Sequence, residues 1–259
     1  MTAAGGYLTQ MFAVADAEVV KLRHDPMDLV SRAVQPVLWL LLFGQVMAHV
    51  RGMGQTGGSY IDFLAPGVLA QSVLFVAIFY DLSAIWERDL GVLHRYLVSP
   101  APRSALVIGK ALASSARGLA QSLVIYGCAA ALHVRLNLEP AHIIAVAAMI
   151  VLASALFSTF SLIIACLVKT RERFMGVGQF LTMPIFFGSN AIYPLAMMPP
   201  WLRVISRINP LSYEVDALRA LMLRGGVAQF GLGLDYGVLV GVAAVLVVFA
   251  TRMYPRLTQ

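Results

Sequence analysis

Long apolar runs alternate with short charged segments along most of the chain. A helix that crosses a membrane needs roughly 20 mainly apolar residues, and six of these runs are long enough. The predicted spans are about 33–50, 60–82, 107–133, 143–168, 174–194 and 234–251. The pattern therefore predicts an all-α integral membrane protein with six transmembrane helices, forming a single domain over residues 1–259.

Residues 7–24, ahead of the first span, have the pattern of an amphipathic helix. Apolar residues recur there at helical spacing, with charged residues between them: Leu8, Phe12, Ala15, Val19 and Leu22. Such a helix lies along a membrane surface rather than across it. An N-terminal interfacial helix is predicted, and a disordered leader is the alternative.

The segment 199–224, between the fifth and sixth spans, carries two short apolar stripes. The first comprises Trp201, Val204, Ile205 and Ile208, and the second Leu211, Val215, Leu218 and Met222. Charged residues lie off these stripes: Arg203, Arg207, Glu214, Asp216 and Arg219. Pro210 separates the stripes because proline disfavours helical geometry at the preceding residue. Both runs are too short and too charged to span, so they predict interfacial or re-entrant helices on the outer face.

The composition excludes a soluble protein. Hydrophobic residues make up 59% of the 259 residues and charged residues 12%, with a mean hydropathy of +0.79. Six spans leave no room for a large soluble domain. Gly109-Lys110 does not belong to a phosphate-binding loop, since Ala111 follows it and Ser104 stands where the loop needs glycine. If a nucleoside triphosphate drives this protein, another chain must bind it.

The basic residues predict which way the chain faces. Thirteen of the 19 lysines and arginines fall on the side of the two termini: Lys21, Arg23, Arg32, Arg88, Arg95, Arg103, Lys110, Arg117, Lys169, Arg171, Arg173, Arg252 and Arg256. Since cytoplasmic loops carry an excess of Lys and Arg, both termini are predicted to be cytoplasmic in a multi-pass protein of the cell membrane. Topology thus explains the net charge of +6 without nucleic acid.

Several short motifs, in order, resemble one family of membrane proteins. They are Glu87-Arg88, Gly91, Leu93, Ser99-Pro100, Gly109-Lys110 and, much later, Asn209-Pro210-Leu211. Their order and spacing resemble the type-2 ABC exporter permeases, and the resemblance covers essentially the whole chain. Among these, the drug-resistance and nodulation-type exporters are the most similar.

The resemblance implies a transport subunit that is not catalytic by itself. Such permeases form homodimers or pair with a similar permease, and they associate with two separate ATP-binding subunits. ATP and Mg²⁺ would bind to those subunits, and no cofactor is expected in this chain. The segment 86–99 would be the coupling helix that contacts the ATP-binding subunit, through Glu87, Arg88, Gly91, Leu93 and Arg95. Read without the resemblance, this segment could equally be a solvated turn with charged side chains.

Aromatic residues of the first and fifth spans are candidates for a substrate path. If the dimer interface uses spans one, two and five, as the resemblance implies, Trp39, Phe43, Phe186 and Phe187 could line an apolar lateral path, with Phe180 and Tyr193 nearby. The alternative is that these aromatics face lipid or the core.

Other groups are assigned structural roles. Lys110 and Arg117 are expected to reach the cytoplasmic surface with their long side chains, and Asp81 could pair with Arg88 or Lys110. The glycines Gly233, Gly237 and Gly241 predict close helix packing. The five histidines lack metal-ligand spacing, so no metal site is predicted. Cys128 and Cys166 lie in apolar runs and are interpreted as small buried residues.

These observations favour a permease subunit of an ATP-driven exporter. Its substrate would be amphipathic, such as a drug, a lipid or a lipid-linked glycan, moved out of the cytoplasm. The alternative is a self-sufficient secondary transporter or channel. That class needs buried carboxylates near mid-membrane, and the sequence offers none that is convincing.

Overall fold

The computed structural model describes residues 34–44, 46, 59–80, 82–89, 103–168 and 170–254. Within them the helices are α1 (Val34–Phe43), α2 (Tyr60–Tyr80), α3 (Leu82–Asp89), α4 (Arg103–Ala131), α5 (Pro140–Leu167), α6 (Arg171–Phe187), α7 (Pro200–Ile208), α8 (Pro210–Met222) and α9 (Leu232–Met253). The second half of α1 is a π-helix, Trp39–Phe43. The predicted interfacial helix 7–24 and most of the segment 86–99 lie outside the described residues.

Helix α2 forms the centre of the bundle. It is apolar on all sides, which is typical of a helix surrounded by others, and it packs against α4, α5, α6 and α8. Of its most apolar segment 83% is buried, whereas the corresponding figure for α9 is 11%. Most of the surface of α9 is therefore left for lipid or for another chain.

Contacts at the two ends of the bundle show that the long helices alternate in direction. At one end Arg135, just after α4, forms a salt bridge of 3.2 Å with Asp62 in the first turn of α2. We call this the Arg135 end. At the opposite end Ile85, Leu106 and Phe174 belong to one apolar cluster. We call this the Phe174 end. Five helices, α2, α4, α5, α6 and α9, connect the two ends.

Among the described residues, three helices, α2, α5 and α9, are long and apolar enough to cross a membrane. They coincide with the second, fourth and sixth predicted spans. Helix α4 covers the third predicted span but carries Lys110 and Arg117, and α1 and α6 are shorter. The all-helical membrane architecture is thus supported, while the count of six spans stays a prediction.

The fifth span was predicted to reach residue 194, and this boundary is wrong because α6 ends at Phe187. The carbonyl groups of its last turn find donors outside the helix. Gly188 N donates to Pro184 O (2.8 Å), Asn209 Nδ2 to Ile185 O (2.6 Å), Ser189 Oγ to Phe186 O (2.7 Å) and Tyr193 Oη to Phe187 O (2.7 Å). Since an uncapped helix end is costly away from water, these bonds fix where α6 stops.

The glycine stripe of α9 makes no close contact with the part of the chain that the structure describes. A methyl group added at Gly233, Gly237 or Gly241 would meet none of its atoms within 4 Å. The predicted close packing is therefore not formed among these residues, and packing against another chain stays a prediction. The buried face of α9 is formed instead by Asp235, Leu239 and Ala250.

Gly67 of α2 lies directly against the backbone of Ala191, in the turn after α6. A Cβ atom at Gly67 would overlap the Ala191 carbonyl oxygen, and backbone cannot move aside as a flexible side chain can. We expect Gly67→Ala to lower the free energy of unfolding by about 1–3 kcal/mol, as overpacking does. The measurement is the unfolding midpoint of the purified protein in detergent. Gly127→Ala on α4, where the space is open, is the matched control, and equal midpoints for the two variants would contradict the contact.

Asn209 joins the end of α6 to the start of α8. Its Nδ2 donates to Ile185 O, and its Oδ1 accepts from Leu211 N at 3.0 Å. We expect Asn209→Ala to lower the free energy of unfolding by about 1–3 kcal/mol, because it removes a helix cap and leaves the partly buried carbonyl of Ile185 without its donor.

The control for Asn209 is Asn137→Ala, which removes a single bond from Glu139 N to Asn137 Oδ1 in an exposed loop. Denaturant titration of both variants should show the larger loss for Asn209→Ala. If Asn137→Ala lowers the free energy of unfolding as much as Asn209→Ala does, the proposed stabilising role of Asn209 between α6 and α8 is contradicted.

Candidate functional site

The four aromatic residues predicted to line a substrate path form one cluster. The ring centroid of Trp39 lies 5.0 Å from that of Phe43, 6.2 Å from that of Phe186 and 6.5 Å from that of Phe187. Phe186 and Phe187 are 5.3 Å apart. These separations and the tilted ring planes are favourable for aromatic pairs. The structure thus brings together residues separated by more than 140 positions in the sequence.

The cluster extends from the interior of the bundle to its surface. Phe186 is buried, while Phe187 is 42% exposed and Phe180, two turns earlier on α6, is 74% exposed. The outward face of α1 is apolar as well, with Leu38, Leu41 and Leu42 exposed. An apolar surface between α1 and α6 therefore leads into the cluster, which is the geometry that a lateral path needs.

Helix α3 contains the first residues of the predicted coupling segment. Glu87 and Arg88 lie in its helical backbone, whereas Gly91, Leu93, Arg95, Ser99 and Pro100 lie outside the described residues, as does Asp81.

A cation–π contact joins α3 to the start of α6. The Arg171 guanidinium lies 3.5 Å from the centre of the Trp86 ring, and Ile85 is completely buried in the apolar cluster of this end. Helix α3 packs on both α5 and α6. Helix α3 is thus in direct contact with the first turn of α6.

The motif residues Gly109 and Lys110 lie on the inner side of α4, near the Phe174 end. Lys110 is only 5% exposed, so the expectation that it extends to the surface is wrong for this residue. The reason is that α4 turns this face toward the rest of the bundle. Arg117 is half-buried, with its guanidinium 5.1 Å from the centre of the Tyr80 ring.

The motif Asn209-Pro210-Leu211 forms the junction between α7 and α8. Asn209 caps α8, Pro210 occupies the first helical position, where its missing N–H is not needed, and Leu211 is completely buried. The side chain of Tyr213 donates to the carbonyl of Arg207 at 2.7 Å, which caps the end of α7. The geometry gives these residues a structural role in positioning the two short helices.

The two short helices, which were predicted to be interfacial or re-entrant, differ in burial. The apolar stripe of α7 is exposed, with Trp201 65% and Ile208 76% accessible, as an interfacial helix requires. In contrast α8 packs between α2, α5 and α9. Glu214 and Asp216 are completely buried, and Arg219 is 8% exposed. These charges lie off the apolar stripe of α8, and they are nevertheless buried because neighbouring helices cover α8 on several sides.

Arg219 is held by partners that the sequence analysis did not identify. Its Nη2 donates to Asn190 O at 3.1 Å, and its guanidinium lies 3.9 Å from the centre of the Phe63 ring. Burial lowers the pKa of Arg219 to about 10, although the nearby Asp216 opposes this shift. Arg219 is thus charged at neutral pH. The sequence signals only the nearby charge, since Arg219 follows Asp216 by three residues on the same helix; it does not indicate Asn190 or Phe63.

Glu214 has a different environment from Arg219. Its carboxylate oxygens have no hydrogen-bond partner among the described residues, and burial raises the pKa of this carboxyl group well above its usual range. Burial therefore favours the protonated, uncharged form of Glu214.

Comparison with known proteins places these features in a family. The sequence pattern of the ABC-2 type transporter family matches residues 9–223. The chain is 29% identical to the ycf38 protein of Cyanophora paradoxa over 83% of its length and 74% of that protein. It is 27% identical to the daunorubicin resistance ABC transporter permease protein DrrB1 of Streptomyces coeruleorubidus, covering 98% of this chain and 87% of that one.

A third relative is the inner membrane transport permease YadH of Escherichia coli (strain K12). It is 26% identical, over 82% of this chain and 81% of its own. The family match extends from the segment before α1 to the end of α8 and includes the Asn209-Pro210-Leu211 junction. With its helical bundle and membrane-spanning helices, the chain belongs to the ABC-2 type transporter family.

Proposed function

We propose that this chain is the transmembrane subunit of an ATP-driven exporter that moves an amphipathic molecule, such as a drug, a lipid or a lipid-linked glycan, out of the cytoplasm. The observation that carries the proposal is the family match over residues 9–223. A separate subunit would bind ATP and Mg²⁺ and hydrolyse the ATP. Two copies of this chain, or one copy and a similar permease, would form the transport unit.

The proposed topology has six spans with both termini in the cytoplasm. The Phe174 end then faces the cytoplasm, and the Arg135 end, with α7 and α8, faces outward. The excess of Lys and Arg on the side of the Phe174 end supports this orientation. The exposed apolar stripe of α7 supports its position at the outer membrane surface.

The proposed coupling follows contacts along α6. The ATP-binding subunit would push on the segment 86–99, through Glu87, Arg88, Gly91, Leu93 and Arg95. The contact between Trp86 and Arg171 would pass this displacement to the start of α6. At the other end of α6 the bond from Asn209 to Ile185 would pass it to α8. A rigid helix held at both ends is suited to this task because it moves as one body.

The proposed substrate path runs between α1 and α6, over Trp39, Phe43, Phe186 and Phe187. Aromatic rings offer large apolar contact areas without demanding one ligand shape. The exposed face of α1 next to the cluster is also apolar. An amphipathic molecule could therefore keep its apolar part against these rings while leaving the bundle sideways.

Isolation of the complex tests the proposed function. A tagged chain from mildly solubilised membranes is expected to co-purify with an ATP-hydrolysing subunit at a fixed ratio. Glu87→Lys should abolish co-purification or permease-dependent ATP hydrolysis, because it reverses a charge at the proposed contact. The control is Glu139→Lys, a reversal at an exposed glutamate of the Arg135 end. A chain that purifies alone in several detergents would contradict the proposal.

The aromatic path is tested by transport in vesicles that contain the chain and its ATP-hydrolysing partner. Daunorubicin is a suitable first probe because one relative carries it in its name. Phe187→Ala should reduce the initial rate about 2- to 10-fold, which corresponds to the loss of one aromatic contact. Phe249→Ala on α9, another exposed phenylalanine, is the control. Equal rates for the two variants would remove Phe187 from the path.

A self-sufficient secondary transporter is the second candidate, and the buried carboxylates favour it. Glu214, Asp216 and Asp235 are all completely buried, although the sequence alone offered no convincing buried acid. Asp235 lies in the first turn of α9, near one end of the bundle rather than at mid-membrane. Transport by vesicles that contain this chain alone, driven by a proton gradient without ATP, would favour this class.

A further inference from the structure

A cavity of about 370 Å³ opens at the Arg135 end. Among the described residues, three arginines line it, namely Arg135, Arg219 and Arg224, together with one acidic residue, Asp62. Both oxygens of Asp62 already accept hydrogen bonds. Oδ1 accepts from Arg135 N, and Oδ2 accepts from Arg135 Nε and from Ser59 N. The cavity therefore has an excess of positive charge, and its one carboxylate is engaged in its own wall.

Arg219 lines this cavity and is largely buried. One face of its guanidinium is covered by the Phe63 ring, and Nη2 is used by Asn190 O. Its Nε and Nη1 have no hydrogen-bond partner among the described residues. A charged guanidinium that is 92% buried with unpaired donors is costly unless an acceptor is supplied. Nε and Nη1 are both in-plane donors of the kind that bind the oxygens of an anion.

The rest of the cavity wall consists of Arg224, the loop that follows it and several apolar side chains. Arg224 is exposed, but its Nε donates to Leu136 O at 3.0 Å, which fixes the start of this side chain. The loop that follows is anchored where Phe230 N donates to Asp216 Oδ2 at 2.8 Å. Apolar side chains, including Phe63 and Val227, line the cavity next to the arginines. The volume is within the range of small-molecule sites, about 300–1,000 Å³.

We propose that this cavity binds a phosphate group, with Arg219 as the buried anchor and Arg224 at the rim. The wall has both cationic and apolar side chains, which fits a lipid head group. The arginines would contact its phosphate, and Phe63 and Val227 would contact the glycerol part. Free inorganic phosphate shares the recognition chemistry and is distinguished by the experiment. Asp216 reduces the local positive field but does not line the cavity. This inference goes beyond the proposed function and requires no ATP-hydrolysing partner.

Calorimetric titration of the purified full chain in a neutral detergent tests the site. The probes are dihexanoyl phosphatidic acid, dihexanoyl phosphatidylcholine and inorganic phosphate. We expect phosphatidic acid to bind at least tenfold more tightly than phosphatidylcholine, whose phosphate charge is balanced by choline. Tight binding of phosphatidic acid but not of inorganic phosphate would assign the site to a lipid. Equal affinities for phosphatidic acid and inorganic phosphate would support a phosphate site and overturn the assignment of that phosphate to a lipid.

Variants locate the binding to this cavity. Arg224→Gln removes an exposed charge, so it should fold and weaken binding of phosphatidic acid about tenfold, the value of one charge-assisted hydrogen bond. Arg219→Lys keeps the charge but loses the planar fork, and it should weaken binding more strongly. Arg207→Gln, an exposed arginine of α7 outside the cavity, should bind like the unchanged chain. Unaltered binding in Arg224→Gln, or equal affinities for phosphatidic acid and phosphatidylcholine, would overturn the proposal.

Discussion

A helix that ends inside a membrane protein has no water to bind its last carbonyl groups, and the arrangement around α6 follows from that constraint. The carbonyl of Ile185 takes its donor from Asn209. Because Asn209 also caps α8, the end of one helix determines where the next begins. Helix α8 is thereby inserted between α2, α5 and α9. The burial of Arg219 and the cavity beside it depend on that insertion.

The two ends of α6 are held by contacts of different strength. At the Phe174 end the Arg171–Trp86 contact involves a tryptophan that is 48% exposed. Cation–π contacts at exposed sites contribute about 0.5–1 kcal/mol. At the other end the bond from Asn209 is partly buried, and losing a buried hydrogen-bond partner costs about 1–3 kcal/mol. The joint between α6 and α8 is consequently the stiffer one, and adjustment is easier between α3 and α6.

The positions of the long helices could be predicted from the sequence, since hydropathy alone decides which residues enter a membrane. The bounds of α2, α5 and α9 agree with the predicted spans to within a few residues. The end of α6 was not predicted, although Gly188, Ser189 and Asn190 interrupt the apolar run directly after Phe187. Its stop depends on a donor from Asn209, which lies 24 residues further along the chain than Ile185.

The sequence also could not predict which face of a short helix is covered by other helices. The stripes of α7 and α8 are alike in pattern, yet α7 exposes its stripe and α8 is enclosed by three helices. The aromatic cluster was foreseen, because the family resemblance suggested which spans meet. The cavity beside Arg219 was not, since it depends on Phe63, Asn190 and Arg135 coming together from distant parts of the chain. Charge on an amphipathic helix does not by itself indicate an internal ligand site.

The unequal lengths of the helices have a consequence for the lipid around them. At 1.5 Å per residue, α5 with its 28 residues is about 42 Å long, and α6 with 17 residues is about 26 Å. A hydrocarbon layer of about 30 Å is thus longer than α6 alone. If α6 is the fifth span, the turn after it must supply the remaining depth. Ser189 and Asn190 are buried in that turn, so their polar groups face the protein interior and lipid beside α6 meets the exposed ring of Phe187 instead.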